Sequence, residues 1–219
     1  MKRPTYYPLF ADLRGRCCLI VGGGVVAQRK VTTLLRCGAR VTVISPTVTK
    51  RLAGYAQARK IRYVARRFRP TDLRWAWLIY AATNDQAINL LVSQTAKAKR
   101  VFANVVDHTS LCSFIAPAIL TRGSLTIAVS TGGASPSLAK KLRDDLKRSV
   151  TADYLPMIRL LSALRGLAKR TLPRYQDRKR YFDEVVRGEV CALVQAGRYR
   201  VAKQRAIRLL RHRPERNGV

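Results

Sequence analysis

The sequence predicts an α/β fold in which a doubly wound parallel sheet is followed by a hairpin and a helical tail. Apolar strand-like runs alternate with helix-like segments through the first half of the 219 residues, which is typical of βαβ units. A glycine-rich turn joins the first strand to the first helix, and the alternation stops after Asp107. Because crossovers between parallel strands are right-handed, such a chain winds its helices onto both faces of one sheet.

The first strand and helix flank a turn of the dinucleotide-binding type. Cys17–Val21 is predicted as a buried strand and Val25–Cys37 as a helix, and Gly22, Gly24 and Ala27 fill the small positions of G-x-G-x-x-G/A. The first glycine permits the sharp turn, the second lets the backbone approach a pyrophosphate, and the small third residue lets helix and strand pack. The helix N-terminus is expected to hold the phosphates. A plain tight strand–helix connection is the alternative.

The remaining elements follow in order along the chain. Further strands are predicted at Arg40–Ser45, Ile61–Ala65, Leu78–Ala82 and Val101–Val106, with helices at Thr47–Arg59 and Asp85–Lys97. Two β-like runs, Phe114–Leu120 and Ser124–Ser130, predict a hairpin around Arg122-Gly123. Ser135 and Pro136 are suited to start a helix that continues to about Val150. Beyond Thr151 the pattern is helical, with breaks near Pro173 and Gly197.

Ligands of a doubly wound sheet bind at the carboxyl ends of its strands. Besides the glycine turn, these ends carry Ser45–Thr47, Ala82–Asn84 and Asn104–Asp107, so Thr83 and Asn104 are candidate cofactor contacts. No Asp or Glu follows the second strand, where NAD-binding folds hold the ribose, and no arginine marks NADP there. The residues therefore predict a dinucleotide and leave its identity open.

Asp107 is the candidate catalytic group, because it follows an apolar strand at the ligand-binding edge. A carboxylate in this place can donate or accept a proton, or ligate a metal in passage. A helix-capping or loop aspartate without chemistry is the alternative. The other acids, Asp72 among them, are mostly assigned to solvated faces, and the two histidines are His108, next to Asp107, and His212.

The charge of the chain is unusual, since 43 Lys and Arg face 12 Asp and Glu for a net charge of +31. Such a balance predicts attraction to polyanions, either nucleic acid or an acidic small molecule, or a solvated basic surface. Nucleic acid is disfavoured, because interleaved aromatics, helix-turn-helix patterns and zinc spacings are missing. No run reaches the roughly 20 apolar residues of a membrane helix, and no signal-peptide pattern is present, so a cytoplasmic location is expected. The five cysteines form no C-x-x-C pair and are expected to be buried thiols.

Several motifs match one family in the family's order. They are Pro8-Leu9-Phe10, Cys18–Lys30, Ala81–Asp85, Asn104–Asp107, Ser113–Ala118 and Ala128–Pro136. With them the chain resembles the precorrin-2 dehydrogenase/sirohydrochlorin ferrochelatase family of siroheme synthesis. The resemblance covers residues 8 to about 145, and the tail past residue 150 matches in length and helicity only.

The resemblance implies an activity and a set of site residues. Precorrin-2 is oxidised by NAD to sirohydrochlorin, and ferrous iron is then inserted to give siroheme. Asp107 is implied in both steps, and the NAD contacts carry over to Val25, Val26, Pro46 and Thr47. The tetrapyrrole, with its eight carboxylates, is expected to meet Ser130, Thr131 and Ser135, and Thr131 stands where relatives have a serine that is sometimes phosphorylated.

The resemblance also implies the domain organisation. It predicts a Rossmann domain over residues 1–113, a dimerisation segment over 114–150 and a helical domain over 151–219, assembled as a homodimer. The methyltransferase domain of the multifunctional enzyme is missing before the end at Val219, so methylation is expected to need a separate protein. Two other interpretations stay open: a Rossmann module that binds NAD without chemistry, and a basic nucleic-acid-binding protein.

Overall fold

Five parallel strands form one sheet in a computed structural model, which describes residues 5–150 and 154–211. The strand order is β3-β2-β1-β4-β5, formed by β1 Cys17–Val21, β2 Arg40–Ile44, β3 Arg62–Val64, β4 Leu78–Ala81 and β5 Phe102–Val105. The connecting helices are α1 Val25–Arg36, α2 Lys50–Gln57 and α3 Gln86–Ala98. The order reverses between β1 and β4, which is where the ligand crevice of a doubly wound sheet lies. The predicted Rossmann-type fold is confirmed.

Both faces of this sheet are covered. Cys18 and Ile20 of β1 pack in one cluster with Val31 of α1. Leu19 of β1, which points to the opposite face, packs in a second cluster with Val92 of α3. Because the strands are buried on both sides, they read as continuous apolar runs rather than alternating ones.

A loop covers the free edge of β5. The amide N–H of Ala103 donates to Ser113 Oγ at 2.8 Å, and the amide N–H of Ser113 donates to the Ala103 carbonyl at 2.8 Å. These bonds replace those of a sixth strand and satisfy an otherwise open edge. They also fix the segment that returns from Asp107.

The chain divides into two compact units, which are residues 1–116 with 130–135 and residues 117–129 with 136–219. The second unit contains the hairpin of β6 Ala118–Arg122 and β7 Leu125–Val129, and the helix α4 Pro136–Ser149. It also contains α5 Tyr154–Thr171, α6 Tyr175–Arg187, α7 Glu189–Gln195 and α8 Tyr199–Arg211. These last four helices share one apolar cluster, in which the buried Tyr181 hydroxyl donates to the Ala206 carbonyl at 3.0 Å.

The predicted division at residues 113 and 150 stays a prediction, and parts of its last segment, 151–153 and 212–219 with His212, lie outside the described residues. Within the described ranges, no helix is long and apolar enough to cross a membrane.

Several expectations about elements and side chains are wrong. The strand expected from Phe114 begins at Ala118. The helix predicted from Thr47 begins at Lys50, because the Thr49 side chain caps it by accepting from the Leu52 amide. The tail has an additional break at Gly188, between α6 and α7. Cys37 is exposed rather than buried. Asp72 is not solvated: its carboxylate, 11% exposed, accepts both guanidinium arms of Arg66.

Candidate functional site

The glycine turn leaves an open helix N-terminus at the end of β1. Gly22 has φ +116°, and a Cβ on it would lie 2.2 Å from the Ala82 carbonyl oxygen. At Gly24, the N-cap of α1, no atom lies within 4 Å of the Cβ position. Ala27, in the first turn of α1, is fully buried. The three small residues therefore act as the motif predicts, as a turn, an open approach and a close packing contact.

The N-terminus of α1 is free to bind an anion. No side chain caps it, and no acidic residue lies in its first turn. By contrast, Thr49 caps α2 and the Asp85 carboxylate caps α3. The amide groups at Val25 and Val26 and the positive end of the helix dipole are thus available to a negatively charged group.

The loop after β2 lies directly against the glycine turn. A Cβ on Gly23 would lie 1.9 Å from the Thr47 carbonyl oxygen, and the Thr49 amide donates to the Gly23 carbonyl at 3.0 Å. Pro46 and Thr47 are both exposed at this edge. The structure therefore brings the predicted contacts at 22–26 and 46–47 together. Sequence reasoning gave Gly23 no role, although three consecutive glycines were the available signal.

The loop after β4 lies on the other side of the glycine turn, through the Gly22–Ala82 contact. The Thr83 hydroxyl accepts from the Asp85 amide at 3.0 Å and lies 3.2 Å from Asn89 Oδ1, and Asn89 Nδ2 donates to the Thr83 carbonyl at 3.0 Å. These bonds hold the start of α3. The predicted cofactor contact at Thr83 is therefore in place beside the turn, with its hydroxyl engaged inside the protein.

Asp107 lies on a tight turn after β5. The Val106 amide donates to the Ala81 carbonyl at 2.9 Å, the His108 amide donates to the Val105 carbonyl at 3.2 Å, and Asp107 itself has φ +63°. Aspartate tolerates this left-handed conformation better than most residues. The turn presents the side chain to solvent, since Asp107 is exposed.

The turn of Asp107 is braced from beneath. Asn104, which is buried, donates from Nδ2 to the Phe114 carbonyl at 3.0 Å. Cys112 Sγ lies 3.2 Å from the Val105 nitrogen and 3.3 Å from the His108 carbonyl oxygen. The side-chain donor of Asn104 holds the returning segment, and its role as a cofactor contact stays a prediction. Cys112, which was expected to be a buried thiol, is partly buried and takes part in this brace.

The segment 130–135 forms a second compact loop. The Thr131 hydroxyl donates to the Ser135 carbonyl and accepts from the Ser135 amide, both at 3.0 Å, and Ser130 Oγ accepts from the Gly132 amide at 3.1 Å. A Cβ on Gly133 would lie 3.3 Å from Thr109 Cγ2. The predicted substrate contacts Ser130, Thr131 and Ser135 therefore lie near the turn that carries Asp107.

Comparison with known proteins gives matches along the whole chain. The family model described as "Putative NAD(P)-binding" matches residues 9–118. The model "Sirohaem biosynthesis protein central" matches residues 122–149, and "Sirohaem synthase dimerisation region" matches residues 154–210. The chain belongs to the precorrin-2 dehydrogenase and siroheme synthase family. It therefore carries an NAD(P)-binding domain.

Two relatives and one solved structure illustrate the family. The chain is 37% identical to the siroheme synthase of Sodalis glossinidius over 97% of its length and 45% of that protein. It is 39% identical to that of Nitrosomonas eutropha over 90% of its length and 42% of that protein. The chain thus spans less than half the length of these siroheme synthases. The structure of SirC, precorrin-2 dehydrogenase, is similar at 27% identity and a TM-score of 0.74, over 95% of this chain and all of that one.

The residues fit the dinucleotide that the family domain implies. The open Cβ position at Gly24 and the uncapped N-terminus of α1 accept a pyrophosphate without steric or electrostatic conflict. Among the described residues, no group of three or more His, Cys, Asp and Glu side chains is arranged to hold a metal ion. In this family member the dimerisation model falls on 154–210, whereas dimerisation was expected at 114–150; that expectation stays a proposal.

Proposed function

We propose that this chain is an NAD-dependent precorrin-2 dehydrogenase that forms sirohydrochlorin. The observation that carries the proposal is the similarity to SirC, precorrin-2 dehydrogenase, over nearly the whole of both chains. The site supports it, because an anion-binding glycine turn lies beside an exposed carboxylate at the carboxyl edge of the sheet. NAD is proposed over NADP because no arginine follows β2 in Ser45-Pro46-Thr47.

The reaction removes two hydrogens from the tetrapyrrole. NAD⁺, when bound, accepts one of them as a hydride with both electrons of the broken C–H bond. The other hydrogen leaves as a proton, and we assign its acceptance to the Asp107 carboxylate. The nearby Asp85 carboxylate is occupied, because it accepts from the Ile88 amide at 3.1 Å. Asp107 has no hydrogen bond or ion pair from its side chain within the described part of the chain.

The chain's own residues supply binding and orientation. The amides at the start of α1 hold the pyrophosphate, and Pro46 and Thr47 line the neighbouring part of the cofactor site. Ser130, Thr131 and Ser135 are proposed to contact the tetrapyrrole on the side of the Asp107 turn. Thr131 keeps the hydroxyl of the family serine, and this hydroxyl closes its loop through two bonds to Ser135.

The decisive variant is Asp107→Asn, which keeps the shape of the side chain and removes its basicity. Loss of a general base lowers kcat by about 100-fold or more, and we expect that loss with unchanged NAD affinity. The measurement is the absorbance of sirohydrochlorin formed from precorrin-2 and NAD. Asp144→Asn, at an exposed carboxylate of α4, is the control and keeps full activity. Full turnover by Asp107→Asn contradicts the assignment, and NAD binding without turnover by the wild type favours the non-catalytic module instead.

Ferrous iron insertion is proposed as a second reaction at the same aspartate. Iron enters as a substrate and displaces two pyrrole N–H protons, and the exposed Asp107 carboxylate is suited to accept a proton or to guide the ion. The test adds ferrous iron to purified sirohydrochlorin and the chain without oxygen. Siroheme formation faster than in the protein-free control supports the step. If siroheme forms at the same rate with and without the protein, the chain does not catalyse iron insertion, and the proposed activity is the dehydrogenase reaction alone.

We also propose a homodimer. The dimerisation region matched at 154–210 supports an assembly. In addition, α4 carries exposed leucines at Leu138, Leu142 and Leu146, spaced by four residues along one side of the helix. Apolar surface of this kind is typical of an interface. This supports the predicted dimerisation role of 114–150 beside that of the helical region.

A further inference from the structure

Lys30 lies on α1, the helix whose N-terminus forms part of the candidate site, and the ion pairs of the described residues do not include it. It is the sixth residue of α1 and is partly buried, whereas its neighbour Arg29 is exposed. Its Nζ lies 4.9 Å from the centre of the Tyr80 ring, on β4. An ammonium over an aromatic face is held by attraction to the ring and has fewer positions available than a free surface lysine.

The ammonium of Lys30 lies close enough to Asp107 to interact with its charge. Burial and the charge of Arg29 lower the pKa of Lys30, while Asp107 and Cys112 are the two groups that act against this lowering. Burial also raises the pKa of the Cys112 thiol, so the thiol is neutral near pH 7. Asp107 is therefore the negatively charged group that interacts with the Lys30 ammonium.

The two charges do not form a closed pair. In the described ranges, 5–150 and 154–211, the ion pairs within 4.0 Å include neither Lys30 nor Asp107. Lys30 consequently keeps its three donors for a ligand, apart from its contact with the Tyr80 ring. A partly desolvated cation of this kind binds a carboxylate more strongly than an exposed one does.

An acidic substrate brings a difficulty that a cation beside Asp107 resolves. Each carboxylate that approaches the Asp107 carboxylate is repelled by it, and the repulsion is larger where water is excluded. The side chain at position 30 supplies the opposite charge at the same place. It is also fixed on the helix whose N-terminus is proposed to hold the cofactor, so cofactor and substrate share one rigid support.

We propose that Lys30 binds a carboxylate of the tetrapyrrole and positions the ring system beside Asp107. This assignment rests on the proposed dehydrogenase function. It makes Lys30 a substrate-positioning residue, distinct from the many exposed basic residues of the chain. The proton transfer is assigned to Asp107, so removal of the Lys30 charge is expected to act on substrate binding.

The test compares Lys30→Met with Arg29→Met and Lys30→Arg. Methionine keeps an unbranched apolar side chain and removes the charge, and Arg29→Met removes the same charge from the adjacent exposed position. A charged hydrogen bond lost from a partly buried site corresponds to about tenfold to 100-fold in affinity. We expect Lys30→Met to raise KM for precorrin-2 by that factor with a smaller effect on kcat. NAD affinity stays unchanged, Arg29→Met changes KM less than about twofold, and Lys30→Arg restores most of the binding.

A titration with uroporphyrin, a fluorescent tetrapyrrole with eight carboxylates, separates this proposal from the proposed function. Weaker uroporphyrin binding by Lys30→Met than by Arg29→Met supports the role of Lys30 even if the wild type does not oxidise precorrin-2. If the wild type oxidises precorrin-2 and Lys30→Met keeps its KM and its uroporphyrin affinity, the role of Lys30 is wrong and the dehydrogenase function stands. If Lys30→Met and Arg29→Met weaken uroporphyrin binding equally, Lys30 contributes only general positive charge, and the proposal is also overturned.

Discussion

Three consecutive glycines meet three different constraints at the end of β1. Gly22 has positive φ and lies against the Ala82 carbonyl. Gly23 lies against the Thr47 carbonyl, so that the loop after β2 can approach the turn. Gly24 has φ −79° and open space around its Cβ position. The fold therefore does not require a glycine here, and we infer that the approach of a ligand does.

The open space at Gly24, in contrast to the close contacts of Gly22 and Gly23, leads to a prediction for Gly24→Ala. Since no protein atom opposes the new methyl group, stability changes by less than about 1 kcal/mol, the scale of an N-cap substitution. NAD affinity falls by about tenfold or more, because the methyl group keeps the pyrophosphate from the amides of α1 and weakens charged hydrogen bonds. Calorimetric titration with NAD and thermal unfolding measure the two effects.

Gly54→Ala is the matched control for this prediction, because Gly54 lies within α2 and also has open space around its Cβ position. It should gain about 0.5–1 kcal/mol in stability and bind NAD normally. Normal NAD binding by Gly24→Ala would show that the cofactor does not approach this glycine.

At the scale of elements, regular segments follow from local pattern and their ends follow from particular side chains. β1 was predicted with both ends correct, because buried residues are bounded by a charged residue and a glycine. The start of α2 was missed, since a threonine cap at Thr49 overrides the favourable pattern before it. The strand expected from Phe114 begins only at Ala118, because Ser113 and Phe114 serve the edge of β5. Such tertiary bonds leave no periodic signal.

The candidate site divides in the same way between predictable and unpredictable parts. Backbone features such as the glycine turn and the strand ends were predicted, because topology alone brings them together. The neighbours of Lys30 and the brace of Asn104 with Cys112 were not, because they depend on particular side-chain contacts that leave no periodic pattern in the sequence. Asp72 was misplaced for that reason, as its partner Arg66 lies on the preceding loop.

Asp72 gives a prediction for the 3-10 turn at Pro70–Trp75. Its carboxylate accepts from Arg66 at 2.6 and 2.9 Å and from the Arg69 amide at 2.8 Å. Burial raises the pKa of Asp72, but these bonds and the nearby charges outweigh burial, so its pKa lies below the usual 3.8. A carboxyl group with a depressed folded-state pKa stabilises the fold above its unfolded pKa of about 3.9, and the contribution is lost as pH falls through the folded value.

Asp72→Asn should therefore lower the free energy of unfolding by about 2 kcal/mol at pH 7. The difference in free energy of unfolding between variant and wild type should shrink as pH falls below about 4. Urea unfolding followed by tryptophan fluorescence measures this, since both tryptophans, Trp75 and Trp77, lie in or beside the turn. Asp144→Asn, which breaks an exposed pair, should have little effect at either pH. If Asp72→Asn and the wild type differ in free energy of unfolding by the same amount at pH 7 and pH 3, the carboxylate charge does not stabilise the turn.

At the scale of the whole molecule, the charge and the apolar surface have separate roles. Six ion pairs join residues in the described part of the chain, and the whole sequence has 43 Lys and Arg for 12 Asp and Glu. Most of these cations therefore lie without a carboxylate neighbour and create a positive field, which speeds the encounter with an anionic substrate. That field is general, so selection of the ligand depends on fixed groups such as Lys30.

The same field opposes self-association, so a homodimer of this chain requires apolar contact to offset the repulsion between two positive molecules. Leu142 and Leu146 of α4, 41% and 36% exposed, supply such surface. In Leu142→Glu, the new carboxylate would be buried without a partner in the interface, and dimer affinity should fall by about 100-fold or more. Analytical ultracentrifugation over a range of concentrations should then show monomers for the variant where the wild type is dimeric.

Ser137→Glu adds the same charge at an exposed position of the same helix and should stay dimeric, which separates interface contact from net charge. Circular dichroism checks that both variants fold. A dimeric Leu142→Glu would remove α4 from the interface and leave the matched region 154–210 as its site. A monomeric wild type at all concentrations would contradict the homodimer itself. Because Leu142 lies on α4, this substitution tests whether 114–150 acts in dimerisation.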